Sequence, residues 1–241
     1  MGRKTSHRWR WRVAAALLLA ALAGAAWAWW QAQHWTPARD RYPVQGVLIG
    51  ADDGPVDFRA LAAVGASFVY LEASQGSEGR DARFADNLAL LNASGLPFGV
   101  VHEYDPCVPA ERQAANFVTI VPRGAGPAEG HASPALLPPV IALDKPASAC
   151  GDPAIENGVE AELTTFLNQV EGHSGQPAIL RLSKAFEEQY HMAARIERNL
   201  WLEGGWLEPD YAGRPFTLWT ANPQLATEVT EHPVRWVVAQ E

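Results

Sequence analysis

The stretch SFVYLEASQGSEGRDARFADNLALLNASGLPFGVVH, residues 67–102, decides the fold. It opens on a short apolar run, Ser67–Glu72, in which Phe68, Val69 and Tyr70 favour a strand. A helical segment follows over Ala82–Asn92, and Gly95 stands where a left-handed cap would end it. A second apolar run, Phe98–His102, completes a strand–helix–strand unit. Strands joined in this way lie parallel, and the crossover between them is right-handed.

The same rhythm extends in both directions. Apolar runs at Gln45–Ile49, Pro139–Leu143 and Ala178–Leu182 alternate with helical candidates at Asp57–Val64, Ala110–Ile120, Glu156–Val170 and Lys184–His191. In the helix over 110–120, Pro109 precedes the first turn and Ala114, Ala115, Phe117 and Val118 supply an apolar stripe. Gly65 follows the first helix as Gly95 follows the second. Beyond residue 195 the pattern changes. Leu200–Leu202, Phe216–Trp219 and Val234–Val238 read as strands with no long helix between them. Five β/α units followed by three plain strands predict an α/β fold, a (β/α)5(β)3 TIM-like barrel with an incomplete helical jacket. Residues 122–137, rich in Gly, Pro and Ala, read as a surface loop. Chemistry in such barrels sits at the C-terminal ends of the strands, here Ile49–Asp53, Glu72–Gln75, His102–Asp105, Ala142–Lys145 and Arg181–Ser183.

Residues 13–30, VAAALLLAALAGAAWAWW, are continuously apolar and near the minimum length for a membrane-spanning helix. Five basic residues (Arg3, Lys4, Arg8, Arg10 and Arg12) precede them, and Trp27, Trp29, Trp30 and Trp35 suit the far interface. This pattern predicts a basic cytoplasmic flank over 1–12, an uncleaved signal-anchor over 13–30, a polar linker over 31–41 and a barrel over 42–241. The barrel would then face the periplasm from the inner membrane. The alternative is a signal peptide cleaved near Ala23, Ala25 or Ala26, which would release the barrel as a secreted protein.

The 241 residues carry a formal charge of −8, from 19 basic and 27 acidic side chains. Setting the five basic residues of the flank aside leaves 14 against 27, or −13. That balance excludes a nucleic-acid binder, which would need a basic surface to neutralise phosphates. Export makes Cys107 and Cys150, the two cysteines of the chain, candidates for a disulfide. Closing a loop of that size stabilises a fold by roughly 4 kcal/mol in the chain-entropy view. There is no CxxC, and His102, His131, His173, His191 and His232 are scattered, so no metal or cofactor is expected.

From Tyr42 to Asp144 the chain resembles the glycoside hydrolase family 25 lysozymes, muramidases that cut the N-acetylmuramic acid–N-acetylglucosamine linkage of peptidoglycan. YPVQGVLIGADDGPVDFRAL is similar to their opening GVDVSHHQG segment, and SFVYLEASQG to their F-x-YIKATEG strand. DARFADNLALLNASGLPFGVVHEY resembles the DPRF-x-xN helix, AGLP turn and GAYHF strand. ERQAANF and LPPVIALD resemble QAxNF and LPPVLDxE. PAILRLSKAF and the closing RWVVAQE are weaker likenesses. Some exported members carry a cysteine pair in the same places.

The resemblance implies where the catalytic carboxylates belong. The Asp of GVDVS falls on Leu48, the Asp of LPPVLDxE on Ala142, and its Glu, the proton donor, on Asp144. A fourth carboxylate has no counterpart. The Lys and Glu of YIKATEG fall on Glu72 and Gln75, and the GAYHF strand gives Val101, His102 and Glu103. Asp144, which could also pair with Lys145 or Arg181, is the candidate catalytic acid. His102, Glu72, Glu103 and Asp52 are candidate substrate contacts. Trp201, Trp206, Trp219 and Trp236 are aromatic faces on which a sugar could stack or which could fill the core. The expected function is a membrane-anchored lysozyme-like domain that acts on or binds peptidoglycan and is catalytically degenerate. A weak muramidase using Asp144 is one alternative, and an envelope protein-interaction module is another.

Overall fold

The computed structural model describes residues 4–123 and 135–240. The chain divides into two units, Met1–Trp35 and Thr36–Glu241. The first contains a single helix, α1 (Lys4–Gln33), whose stretch Arg8–Gln33 is long and apolar enough to cross a membrane, with a mean hydropathy of 1.8 over its most apolar window. The helix extends beyond the apolar run into the expected linker. Pro37 follows closely, and the residue before a proline disfavours helical backbone.

The second unit contains the barrel. Its elements are β1 (Gln45–Ile49), α2 (Phe58–Ala63), β2 (Phe68–Gln75), β3 (Gly79–Arg80), α3 (Phe84–Ser94), β4 (Phe98–Glu103), α4 (Ala110–Ile120) and β5 (Val140–Leu143). There follow α5 (Pro153–Ser174), β6 (Ile179–Leu182), α6 (Lys184–Tyr190), α7 (Met192–Arg195), β7 (Asn199–Glu203), β8 (Leu218–Leu225) and β9 (Val234–Ala239). Neighbouring strands run β1–β2–β4–β5–β6–β7–β8–β9, and β9 returns to β1, so the sheet closes. All pairs are parallel except those of β9, which is antiparallel to both β8 and β1. Closure removes the exposed strand edges that an open sheet would leave.

The local signals explain most boundaries. Gly65 and Gly95 take positive φ, 108° and 79°. α5 is longer than its apolar periodicity suggests, because Asp152 accepts from Ala154 N at 2.9 Å and Pro153 opens the first turn. Gly175, at φ 74°, ends it. β8 begins two residues later and runs six further than expected, and two register shifts keep it paired with β9. Residues 124–134 of the expected surface loop, His131 among them, lie outside the described residues.

Side chains alternate between the barrel interior and the helix layer. Leu48, Phe68, Tyr70, Val101, Val140, Ala142, Ile179, Trp201, Leu218 and Val237 fill the interior. Two glycines make room for the largest of them. Gly46 stands opposite Phe68 and Gly99 opposite Tyr70, and a Cβ on either would overlap the facing residue. Cys107 and Cys150 form the expected disulfide, with Cα atoms 5.2 Å apart. It ties the segment after β4 to the turn after β5, beside the barrel's C-terminal mouth.

Candidate active site at the barrel mouth

One step above the apolar interior, the same alternation brings charged residues inward. Glu72, Glu103, Asp144, Arg181, Glu203 and Arg235 each stand two residues from an interior side chain of their strand (Tyr70, Val101, Ala142, Ile179, Trp201 and Val237). Asp53, in the turn after β1, joins them. The result is five carboxylates and two guanidinium groups around one opening.

Each arginine is shared by two carboxylates. Arg181 is only 4% exposed; its Nη2 donates to Asp144 Oδ2 at 2.8 Å and its Nε lies 3.5 Å from Glu203 Oε1. Its guanidinium sits 6.0 Å above the buried ring of Trp201. Arg235 donates to Glu72 in a short contact and lies 3.4 Å from Asp53 Oδ2. Asp53 also accepts from Gly50 N at 2.7 Å, which ties the turn to the mouth. Gly50 matters here for its missing side chain, because a Cβ would collide with the Glu72 carboxylate.

Glu103 stands between the two clusters. Burial raises its carboxyl above the ordinary value, and Glu72 and Asp144 add to the rise while Arg181 and Arg235 oppose it. Burial likewise raises Glu203, against the nearby Arg181, and Asp53, against the Gly50 amide and Arg235. The mouth therefore contains carboxyl groups shifted toward the neutral form, the direction a proton donor needs.

Two expected contacts are corrected. His102 is fully buried and out of phase with Val101 and Glu103, so it faces the helices rather than the opening. Its Nδ1 pairs with Ser74 Oγ at 2.8 Å, and its ring packs 4.8 Å from Phe166 and 6.1 Å from Phe117. Burial pushes its pKa down to about 4, so the histidine is a neutral core residue. Asp52 points to solvent, and its neighbour Asp53 is the aspartate that reaches the mouth. Of the four tryptophans, Trp201, Trp219 and Trp236 are core, while Trp206 is exposed. Lys145 pairs with Asp105 at 2.8 Å, leaving Asp144 to Arg181.

The sequence model of the glycosyl hydrolases family 25 matches residues 49–219. The chain belongs to this family. Among solved structures, a family 25 glycosyl hydrolase from Bacillus anthracis is 24% identical, with a TM-score of 0.73, covering 87% of this chain and 93% of that one. The bacterial lysozyme from Streptomyces coelicolor is 18% identical with a TM-score of 0.68, covering 82% and 92%. A family 25 lysozyme from Aspergillus fumigatus is 19% identical with a TM-score of 0.64, covering 82% and 94%. No curated protein matches significantly. The expected barrel is thus that of the family 25 lysozymes.

The positions singled out by the motif resemblance lie as follows. Leu48 and Ala142, the expected positions of two lost carboxylates, are 1% exposed and packed in the apolar interior. Asp144, the expected catalytic acid, is one methylene shorter than glutamate and hydrogen-bonded to Arg181. Arg235 and Glu203 were not singled out by sequence, although alternation from Val237 and Trp201 could have placed them. Asp53 lay within the strand end expected at the mouth, and choosing it over Asp52 needed the backbone of the turn.

Proposed function

We propose that the protein is a family 25 lysozyme-like domain that binds peptidoglycan in the cell envelope, tethered by α1, and that it has lost most or all of the family's hydrolysis. This reading is supported by the burial of apolar Leu48 and Ala142, the two positions onto which the motif resemblance carries family carboxylates. Cleaving a glycosidic bond needs a proton donor on the leaving oxygen and a carboxylate that supports the oxocarbenium-like centre. Apolar side chains supply neither. The remaining acid position, Asp144, offers Arg181 the oxygen that a leaving group would need. A retreat of about one bond length at that position costs on the order of 100-fold by itself. The tether reading draws on the length and apolarity of α1, the basic flank and the disulfide of an oxidising compartment.

Binding is tested by co-sedimentation of the full chain, in non-ionic detergent, with purified peptidoglycan sacculi. The expected result is saturable recovery in the pellet that falls at least tenfold when Arg181 and Arg235 are both changed to Gln. Recovery no greater than for an unrelated detergent-solubilised protein would reject the glycan-binding reading.

The raised carboxyl of Glu103 favours a second reading, a slow muramidase with a relocated acid. In that case Glu103→Gln would abolish reducing-end release while Asp144→Asn would leave it within about threefold.

A further inference from the structure

The end of the barrel opposite the mouth, at which the chain enters, contains a mainly apolar recess. A half-open recess of about 300 Å3 is lined there by Val44, Phe68, Pro97, Leu137, Leu218 and Ala239. The entering segment is strapped beside it. Gln45, fully buried, donates to the carbonyls of Pro37 at 2.9 Å and Tyr42 at 2.8 Å. Tyr42 is buried against Trp219, with ring centres 5.6 Å apart.

The loop after β7 is fastened to this strap. Glu208 accepts from Arg41 Nη2 at 3.0 Å and from the Tyr42 hydroxyl at 2.8 Å, and Gln240 donates to its other oxygen. Immediately before Glu208, Trp206 is 58% exposed and Leu207 is 84% exposed. An exposed Trp–Leu pair adds nothing to the core, and Glu208 holds it at the edge of this end of the barrel.

We propose that Trp206 and Leu207 insert into the interfacial zone of a lipid bilayer, seating this edge of the barrel on a membrane surface. The partner is a lipid surface. Tryptophan favours that zone because its ring buries apolar area while its N–H stays hydrated. This inference rests on the tether reading above.

The test uses the full chain reconstituted into vesicles of phosphatidylcholine and phosphatidylglycerol. A nitroxide is attached at Leu207→Cys, and a control nitroxide at Asp52→Cys, a solvent-facing residue at the mouth end; both native cysteines are oxidised and stay unlabelled. Flotation of the vesicles first reports whether the chain is membrane-bound. Power saturation then compares collisions with oxygen, which concentrates in lipid, against a water-soluble nickel chelate. The expected result is an oxygen-to-nickel accessibility ratio several-fold higher at 207 than at 52. Equal ratios in floating vesicles would overturn the seating while leaving the tether intact. A chain that fails to float would remove the tether and the seating together. In a second measurement, brominated lipid should quench the wild-type tryptophan emission more than that of Trp206→Phe, and equal quenching would again overturn the seating.

Discussion

Glu103 and His102 are adjacent in sequence and opposite in environment, and their titrations separate the mouth from the core. The folded-state pKa of Glu103 lies above the ordinary 4.5, so the fold binds its proton more tightly than the unfolded chain does. Stability from this group is therefore lost as pH rises from 4.5 through the folded value. Glu103→Gln should raise the thermal midpoint at pH 7, with the gain vanishing below pH 4.5; an equal gain at both pH values would refute the burial argument. His102 has the reverse sign. Its pKa of about 4 lies below the ordinary 6.5, so its contribution is complete above 6.5 and declines as pH falls toward 4. His102→Ala should cost roughly 2–4 kcal/mol in urea unfolding at pH 7, through lost packing and an orphaned Ser74 hydroxyl. Its affinity for sacculi at a temperature where it is folded should match that of wild type. The alternating pattern on β4 already separated these two residues, because Val101 and Glu103 share one face and His102 the other. The Asp144–Arg181 pair was one of the alternatives open in the sequence; the partners of Arg235 were not legible, since they depend on the register of β9 against β1 and on the turn after β1.

Glycines and the disulfide set the tolerances at the scale of elements. Gly99 faces Tyr70, a ring locked in the interior by Phe68 and Trp201. Gly99→Ala should cost about 1–3 kcal/mol by overpacking, read as a lower urea midpoint at unchanged slope. The same change at Gly50 meets only the mobile end of Glu72. Its expected effect is a weakened Glu72–Arg235 pair with little loss of stability. The disulfide closes a loop with a sequence separation of 43. Replacing both cysteines by serine should cost about 4 kcal/mol in the chain-entropy view; a loss below 1 kcal/mol would mean that the unfolded chain is already compact there. Strand and helix order was legible throughout because apolar runs, caps and glycines agreed with one another. The errors fell at ends set by other elements. β2 runs on past a bulge to meet β3, and β8 is extended by its pairing with β9.

At the scale of the whole molecule, the family 25 barrel is present, and the proposed function rests on an exchange of the groups that the family motif places at its mouth. The interior carries Leu48 and Ala142, and the mouth carries Arg181 with Asp144 and Glu203, Arg235 with Glu72 and Asp53, and Glu103 between the two clusters. The expectation for Leu48 and Ala142 was legible in the sequence because motif spacing maps residue onto residue. How the charges group into two clusters was legible only once the barrel had closed. The most direct measurement is reducing-end release from purified sacculi by the full chain, with a family 25 lysozyme as the positive control. The account predicts release at least about 10,000-fold below the control, since losing several catalytic groups removes orders of magnitude together. Release within about 100-fold of the control, abolished by Asp144→Asn, would contradict it and restore Asp144 as a working general acid.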